Sequence, residues 1–125
     1  MPAGGEGSAD DHRLVARAVV DGDAAAVGEL VWRHQAQVRN LLRRLTRDPV
    51  LADDLAQDAF LHAWDKLGTF SARGSFIGWL LRVAYTTFLQ SKRRSKRYGE
   101  ILEEIGGASE PAQDHGGRSD ELGDL

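Results

Sequence analysis

Residues 70–97, FSARGSFIGWLLRVAYTTFLQSKRRSKR, constrain this chain more than any other stretch. Phe76, Trp79, Leu80, Val83, Ala84, Thr87 and Phe88 recur at i, i+3, i+4, i+7, i+8, i+11 and i+12. That spacing places them on one face of a helix, which must be buried against other helices. Ser75 stands where its hydroxyl can accept from a free backbone N–H of the first turn, so the helix is predicted to begin there. Leu81, Arg82, Tyr85, Thr86, Leu89 and Gln90 fall mostly off the buried face, and Lys92, Arg93, Arg94, Lys96 and Arg97 extend the polar side. A helix anchored on one side, cationic at its end and aromatic on its flank suits a nucleic-acid strand. A solvated basic end that complements the helix dipole accounts for the same residues, so both readings stand on composition.

The helical period continues upstream. Leu14, Val15, Ala18 and Val19 form the apolar side of a first helix predicted from Asp10 or Asp11, closed by Asp21-Gly22. Asp23 caps a second, from about residue 24 to 47, carrying Val27, Leu30, Val31, His34, Val38, Leu41, Leu42 and Leu45. His34 lies on that apolar face with Val38, not a second ligand, at i+4, so it reads as a core or edge histidine. Asp48-Pro49 starts a third helix, aspartate at the cap and proline at the first position, where its missing N–H costs nothing. Its inward stripe is Ala52, Leu55, Ala56, Ala59, Phe60, Ala63, Trp64 and Leu67, with Gly68 past its end. Asp53, Asp54, Gln57, Asp58, Leu61, His62 and Asp65 spread over the other sides. Acids around an exposed leucine suit a cationic protein partner, and equally a solubilising surface. His62 is assigned no chemistry. In the loop 68–74, Phe70 either plugs the core or walls a pocket, and the glycines either admit a ligand or make a turn.

The whole is predicted to be all-α, a compact bundle of three to four helices at residues 10–99. It is flanked by a disordered N-terminus at 1–9 and a mostly disordered acidic tail at 100–125. Residues 98–105 add one or two amphipathic turns. A length of 125 residues with 42% hydrophobic content fits one small domain with a modest core. The chain has no cysteine, so a disulfide framework and a thiolate metal site are both excluded. No apolar run approaches the roughly 20 residues that span a bilayer, and no signal-peptide pattern opens the chain, so a soluble cytoplasmic protein is expected.

The net charge of −3 conceals a polarised distribution. Residues 1–75 carry 9 basic and 11 acidic groups, residues 76–99 carry 6 basic and none acidic, and residues 100–125 carry 1 basic and 8 acidic. A cationic block ahead of an anionic tail points to a polyanion partner. No nucleophile–base pair, phosphate-binding glycine loop or metal-ligand spacing is present, so neither an enzyme nor a cofactor is expected.

Taken together, the run from Asp54 through Leu55, Gln57 and Asp58 to Phe60, the Trp64-to-Leu67 spacing, the loop phenylalanine and the run Ser75-Phe76, Trp79-Leu80, Arg82-Val83-Ala84 resemble region 2 of the sigma-70 family. The branch is that of the extracytoplasmic-function sigma factors of bacteria, and the likeness covers about residues 10–97. The resemblance implies that Asp54, Gln57 and Asp58, with Leu61 beside them, dock on the clamp helices of the largest subunit of core RNA polymerase. It implies that Phe70, Ser71, Arg73 and Ser75 form a pocket for a flipped-out base of the promoter minus-ten element on the single-stranded non-template strand. Leu81, Arg82, Tyr85 and Thr86 would supply the reading face of the helix, and Lys92, Arg93, Arg94, Lys96 and Arg97 would hold the backbone.

The sequence departs from the family in carrying Thr86 where many relatives have asparagine and Leu81 where they have an aromatic. A sigma-like mimic that binds an anti-sigma factor without touching DNA is the alternative these departures motivate. Family members also continue into a region 4 helix-turn-helix domain, so this chain is expected either to be a fragment of a longer factor, the favoured reading, or to work without that half.

Overall fold

A computed structural model describes residues 3–71 and 73–106, with side chains from residue 9 onward. Of the acidic tail expected at 100–125, residues 107–125 lie outside them, and residues 100–106 belong to the last helix. Four helices form the architecture: α1 (Ala3–Val20), α2 (Ala24–Thr46), α3 (Pro49–Asp65) and α4 (Phe76–Gly106), with a single 3₁₀ turn at Leu67–Thr69. No strand occurs among the described residues, and the all-α expectation holds.

α2 is the centre of the bundle, packing against α1, α3 and α4, while α3 also packs against α4. Its buried residues Ala26, Leu30, His34, Val38, Leu42 and Thr46 follow each other at intervals of four. α3 contributes Ala52, Ala56, Ala59 and Ala63 to the core beside Leu55 and Phe60. Such small side chains let neighbouring helix axes approach closely. Phe76, Leu80, Ala84, Thr87 and Phe88 complete the core from α4. Burying a side chain of the Leu30, Leu42 or Phe76 kind stabilises the fold by roughly 1.5–3 kcal/mol.

The caps follow the sequence. Asp23 accepts from the amides of Ala25 (3.0 Å) and Ala26 (3.4 Å). Asp48 accepts from those of Val50 (3.1 Å) and Leu51 (3.2 Å). Ser75 Oγ accepts from the amide of Gly78 at 3.1 Å.

Three boundaries differ from expectation. α1 begins at Ala3 instead of Asp10, so residues 3–9 continue its backbone. Its Val19 is 47% exposed, and only Leu14 and Val15 of its apolar set are buried, with Ala18 packed beside them. α2 stops at Thr46 because Arg47 turns left-handed (φ 57°), its N–H donating to the carbonyl of Arg43 at 2.8 Å. The proline at 49 holds Asp48 extended, so α2 could not run on into α3. Finally, α4 continues without a break to Gly106, because one glycine at position 99 costs only about 1 kcal/mol of helix propensity. Past Phe88 none of its residues is buried, and Tyr98 (64%) and Ile105 (78%) stand in solvent.

Candidate nucleic-acid and docking surfaces

Two surfaces meet along α3. The first is a stripe of Asp54, Gln57, Asp58 and Leu61, at i, i+3, i+4 and i+7, which share one side of the helix. Asp54 and Gln57 are exposed, Asp58 is half-buried, and Leu61 is 58% exposed. The side chains of Asp54, Gln57 and Asp58 make no hydrogen bond or ion pair among the described residues. Asp53, one turn before Gln57 and so beside the stripe, lies 3.6 Å from Arg39 Nε of α2. The stripe therefore holds two carboxylates and an amide with free acceptors around an apolar knob.

The second surface is a groove of about 490 Å³ between α3 and α4, lined by His62, Lys66, Trp79, Arg82, Val83, Thr86, Thr87 and Gln90. Thr87 Oγ1 donates to the carbonyl of Val83 at 2.9 Å. Its only proton is thereby used, so the 2.9 Å contact with His62 must run from the ring's Nδ1–H to Thr87 Oγ1. In the neutral ring Nε2 is then an acceptor, and Lys66, Arg82 and Gln90 line the same groove as His62. His62 also stands one turn beyond Asp58, so the docking stripe and the groove share a border.

The structure divides the residues expected to read DNA from α4 into two stripes. Arg82, Thr86 and Gln90 line the groove, and the four-then-three spacing carries that stripe on to Arg93 and Arg97. Leu81, Tyr85, Lys92 and Lys96, at i, i+4, i+11 and i+15, form another stripe about a third of a turn away. There Tyr85 lies against Phe88, and the Lys92 ammonium sits 5.9 Å from the Phe88 ring centroid.

Phe70 does not line the groove. It is half-buried in a ring cluster with Phe76 (5.5 Å, edge-on) and Trp79 (5.6 Å), which is the core-plug geometry. Ser71, Arg73 and Ser75 are exposed, with Ser71 Oγ accepting from the amide of Arg73 at 3.2 Å. A Cβ added at Gly68 or Gly74 would meet nothing within 4 Å, so neither glycine is required by the turn itself. Arg94 is exposed. The cations at 92–97 begin some 24 Å along α4 from Phe76, about the rise of seven stacked nucleotides.

Sequence reasoning missed His62, Lys66, Trp79, Thr87 and Gln90 as groove residues. The spacing His62–Lys66 against Arg82–Thr86–Gln90 was visible, but only the packing of α3 on α4 brings the two rows together. Among the described residues, no group of three acidic or histidine side chains is placed to hold a metal ion, and no helix is long and apolar enough to cross a membrane.

Residues 30–98 match the sigma-70 region 2 family. The chain is 39% identical over 77 residues to the RNA polymerase sigma-H factor of Pseudomonas aeruginosa, covering 62% of this chain and 39% of that protein. It is 36% identical over 95 residues to the ECF RNA polymerase sigma factor SigM of Mycobacterium tuberculosis, covering 76% and 48%. It is 28% identical over 107 residues to the ECF RNA polymerase sigma factor SigK of a Mycobacterium species, covering 84% and 55%. The chain thus spans between about two fifths and a little over half of these relatives. No solved structure gives a significant match.

Proposed function

Because this chain belongs to the sigma-70 family, with a region 2 domain of the extracytoplasmic-function type, we propose that it is the polymerase-docking and promoter-opening part of a bacterial transcription initiation factor acting in the cytoplasm. The observation that carries the reading is the shared border of the two surfaces on α3. Asp54, Gln57, Asp58 and Leu61 offer acceptors and an apolar knob to a cationic helical partner, the clamp helices of core RNA polymerase. Arginines there would meet the carboxylates through charge-assisted, often bidentate bonds. One turn further on, the groove and the exposed loop residues Ser71, Arg73 and Ser75 face the non-template strand of the minus-ten element. An anti-sigma factor would act by covering either surface.

The mechanism is capture, not catalysis. Fraying of the duplex exposes a base at a cost of a few kcal/mol. Stacking, at about 1–3 kcal/mol per base, and backbone contacts offset that cost. Trp79 supplies a ring at the groove wall, Arg82 and Lys66 supply charge, and Thr86, Gln90 and His62 Nε2 supply directional hydrogen bonds. The cations of the distal helix hold the strand further along.

The test is binding of the Gln57→Ala/Asp58→Ala double variant to a clamp-helix segment of the polymerase. Losing hydrogen bonds to charged partners, at roughly 1.5–3 kcal/mol each, should weaken binding tenfold or more. Unchanged binding would remove the docking role. Fluorescence anisotropy with single-stranded oligonucleotides tests the other surface, since a mimic that engages only proteins would not bind them.

A further inference from the structure

The loop that presents Ser71, Arg73 and Ser75 is held from the N-terminal helix. His12, on α1, points its Nε2 at the carbonyl of Gly74 at 2.9 Å, across 62 residues of sequence. A carbonyl only accepts, so Nε2 carries the proton and donates. The same ring lies against Phe70, with centroids 5.5 Å apart and planes tilted by 47°. One side chain thus touches both ends of the loop, Phe70 where it leaves the 3₁₀ turn and Gly74 just before α4.

α1 is itself anchored at the adjacent residue. Asp11 is buried and accepts from His34 Nε2 of α2 at 2.9 and 3.0 Å, with Arg33 Nε at 3.1 Å. The His34 ring packs on Phe76 (5.6 Å), and Phe76 meets Phe70 edge-on. The contacts form a closed circuit: His12 to Phe70, Phe70 to Phe76, Phe76 to His34, and His34 to Asp11 beside His12. Within it, the position of the loop depends on α1 being docked. α1 lies wholly before the residues that match the family, 30–98.

We propose that His12 is a positioning residue for base capture, holding the loop from α1 in the form that presents its side chains to the strand. The inference rests on the promoter-reading role given above, and its test separates the two. An exposed loop with few buried contacts opens readily, and a hydrogen bond at one end with a ring contact at the other raises the cost of opening. His12 makes no contact with the strand in this scheme, so its loss leaves the phosphate-binding cations in place.

The experiment compares the whole chain with His12→Ala and His12→Gln, since a glutamine amide can still donate to Gly74. Hydrogen exchange is read at the amides of Phe70, Arg73, Gly74 and Gly78, each of which donates a hydrogen bond within or beside the loop. Binding is read with single-stranded dA12, dC12 and dT12 and with an abasic twelve-mer; the ratio of base-bearing to abasic affinity isolates the base contribution.

In His12→Ala, loop exchange should rise about tenfold while the amides of α2 and α3 stay protected. The base contribution should fall toward the abasic level with the salt dependence unchanged, and His12→Gln should restore both. Unchanged loop exchange in His12→Ala, or a glutamine variant as fast as the alanine one, overturns the brace. Faster loop exchange with a base contribution equal to wild type overturns its link to reading. If the unmodified chain binds abasic and base-bearing strands equally, the base-reading role fails instead, and the exchange data still decide the brace.

Discussion

His34 Nε2 on α2 lies 2.9 Å from one carboxylate oxygen of Asp11 on α1 and 3.0 Å from the other, with both residues more than nine-tenths buried. The histidine on the apolar face is therefore a structural partner of an acid near the start of the chain, and the pair fastens α1 to the bundle. Removing one member of a buried pair leaves the other desolvated and unsatisfied. Asp11→Ala should lower stability by about 3 kcal/mol in urea unfolding, by the same reasoning. Asp10→Ala, one residue away and less buried, should change it by roughly 0.5 kcal/mol or less. Equal effects of the two substitutions would mean that the buried pair contributes nothing.

The two stripes on α4 are separable by salt. If the strand runs from the groove along Arg82, Arg93 and Arg97, then Arg93→Gln/Arg97→Gln removes two phosphate contacts. The slope of log K against log salt for a single strand should then become shallower by about 1.4, roughly 0.7 per contact. Lys92→Gln/Lys96→Gln, on the Tyr85 stripe, should change the slope less. The reverse ranking would move the strand onto the other side of the helix.

Asp23 caps α2 and also accepts from Arg17, through Nε at 3.2 Å and Nη2 at 2.8 Å. The Arg17 hydrogen bond, with help from the Ala25 and Ala26 amides, holds the Asp23 carboxyl below its ordinary 3.8. A carboxyl that is more acidic folded than unfolded stabilises the fold above the unfolded value. That contribution is lost as the pH falls below 3.8 and through the folded value. Carboxyl NMR titration should show Asp23 ionising at low pH, and Arg17→Ala should raise its midpoint. An identical midpoint in the variant would mean that Arg17 is not the cause.

Much of the body was legible in the chain. Asp23, Asp48-Pro49 and Ser75 mark helix starts because a side-chain oxygen or a missing N–H meets a purely local need. The α4 core stripe was readable from spacing, as was the exposure of Asp54, Gln57 and Leu61, since periodicity assigns faces within one helix. The family likeness added roles that periodicity does not carry. Phe70 was open between plug and pocket wall, and its contacts with Phe76 and Trp79 place it in the aromatic cluster.

Other features depend on partners far apart in sequence. His62 looked inert until Thr87, 25 residues away, oriented its ring beside Lys66 and Arg82. Leu81, Arg82, Tyr85 and Thr86 looked like one reading face, and α3 packing beside only Arg82 and Thr86 divides them. His12 carried no signal of its own, being one polar residue on a short helix.

By itself, then, the sequence determined an all-α bundle of three to four helices, their caps, the inward side of each and the acidic and basic faces, because hydrophobic period and capping act over a turn or two. Tertiary structure alone decided which flanks meet to form the groove and which helix steadies the loop. Those outcomes depend on how helices cross and turn against one another, a geometry settled by the packing of all the side chains together.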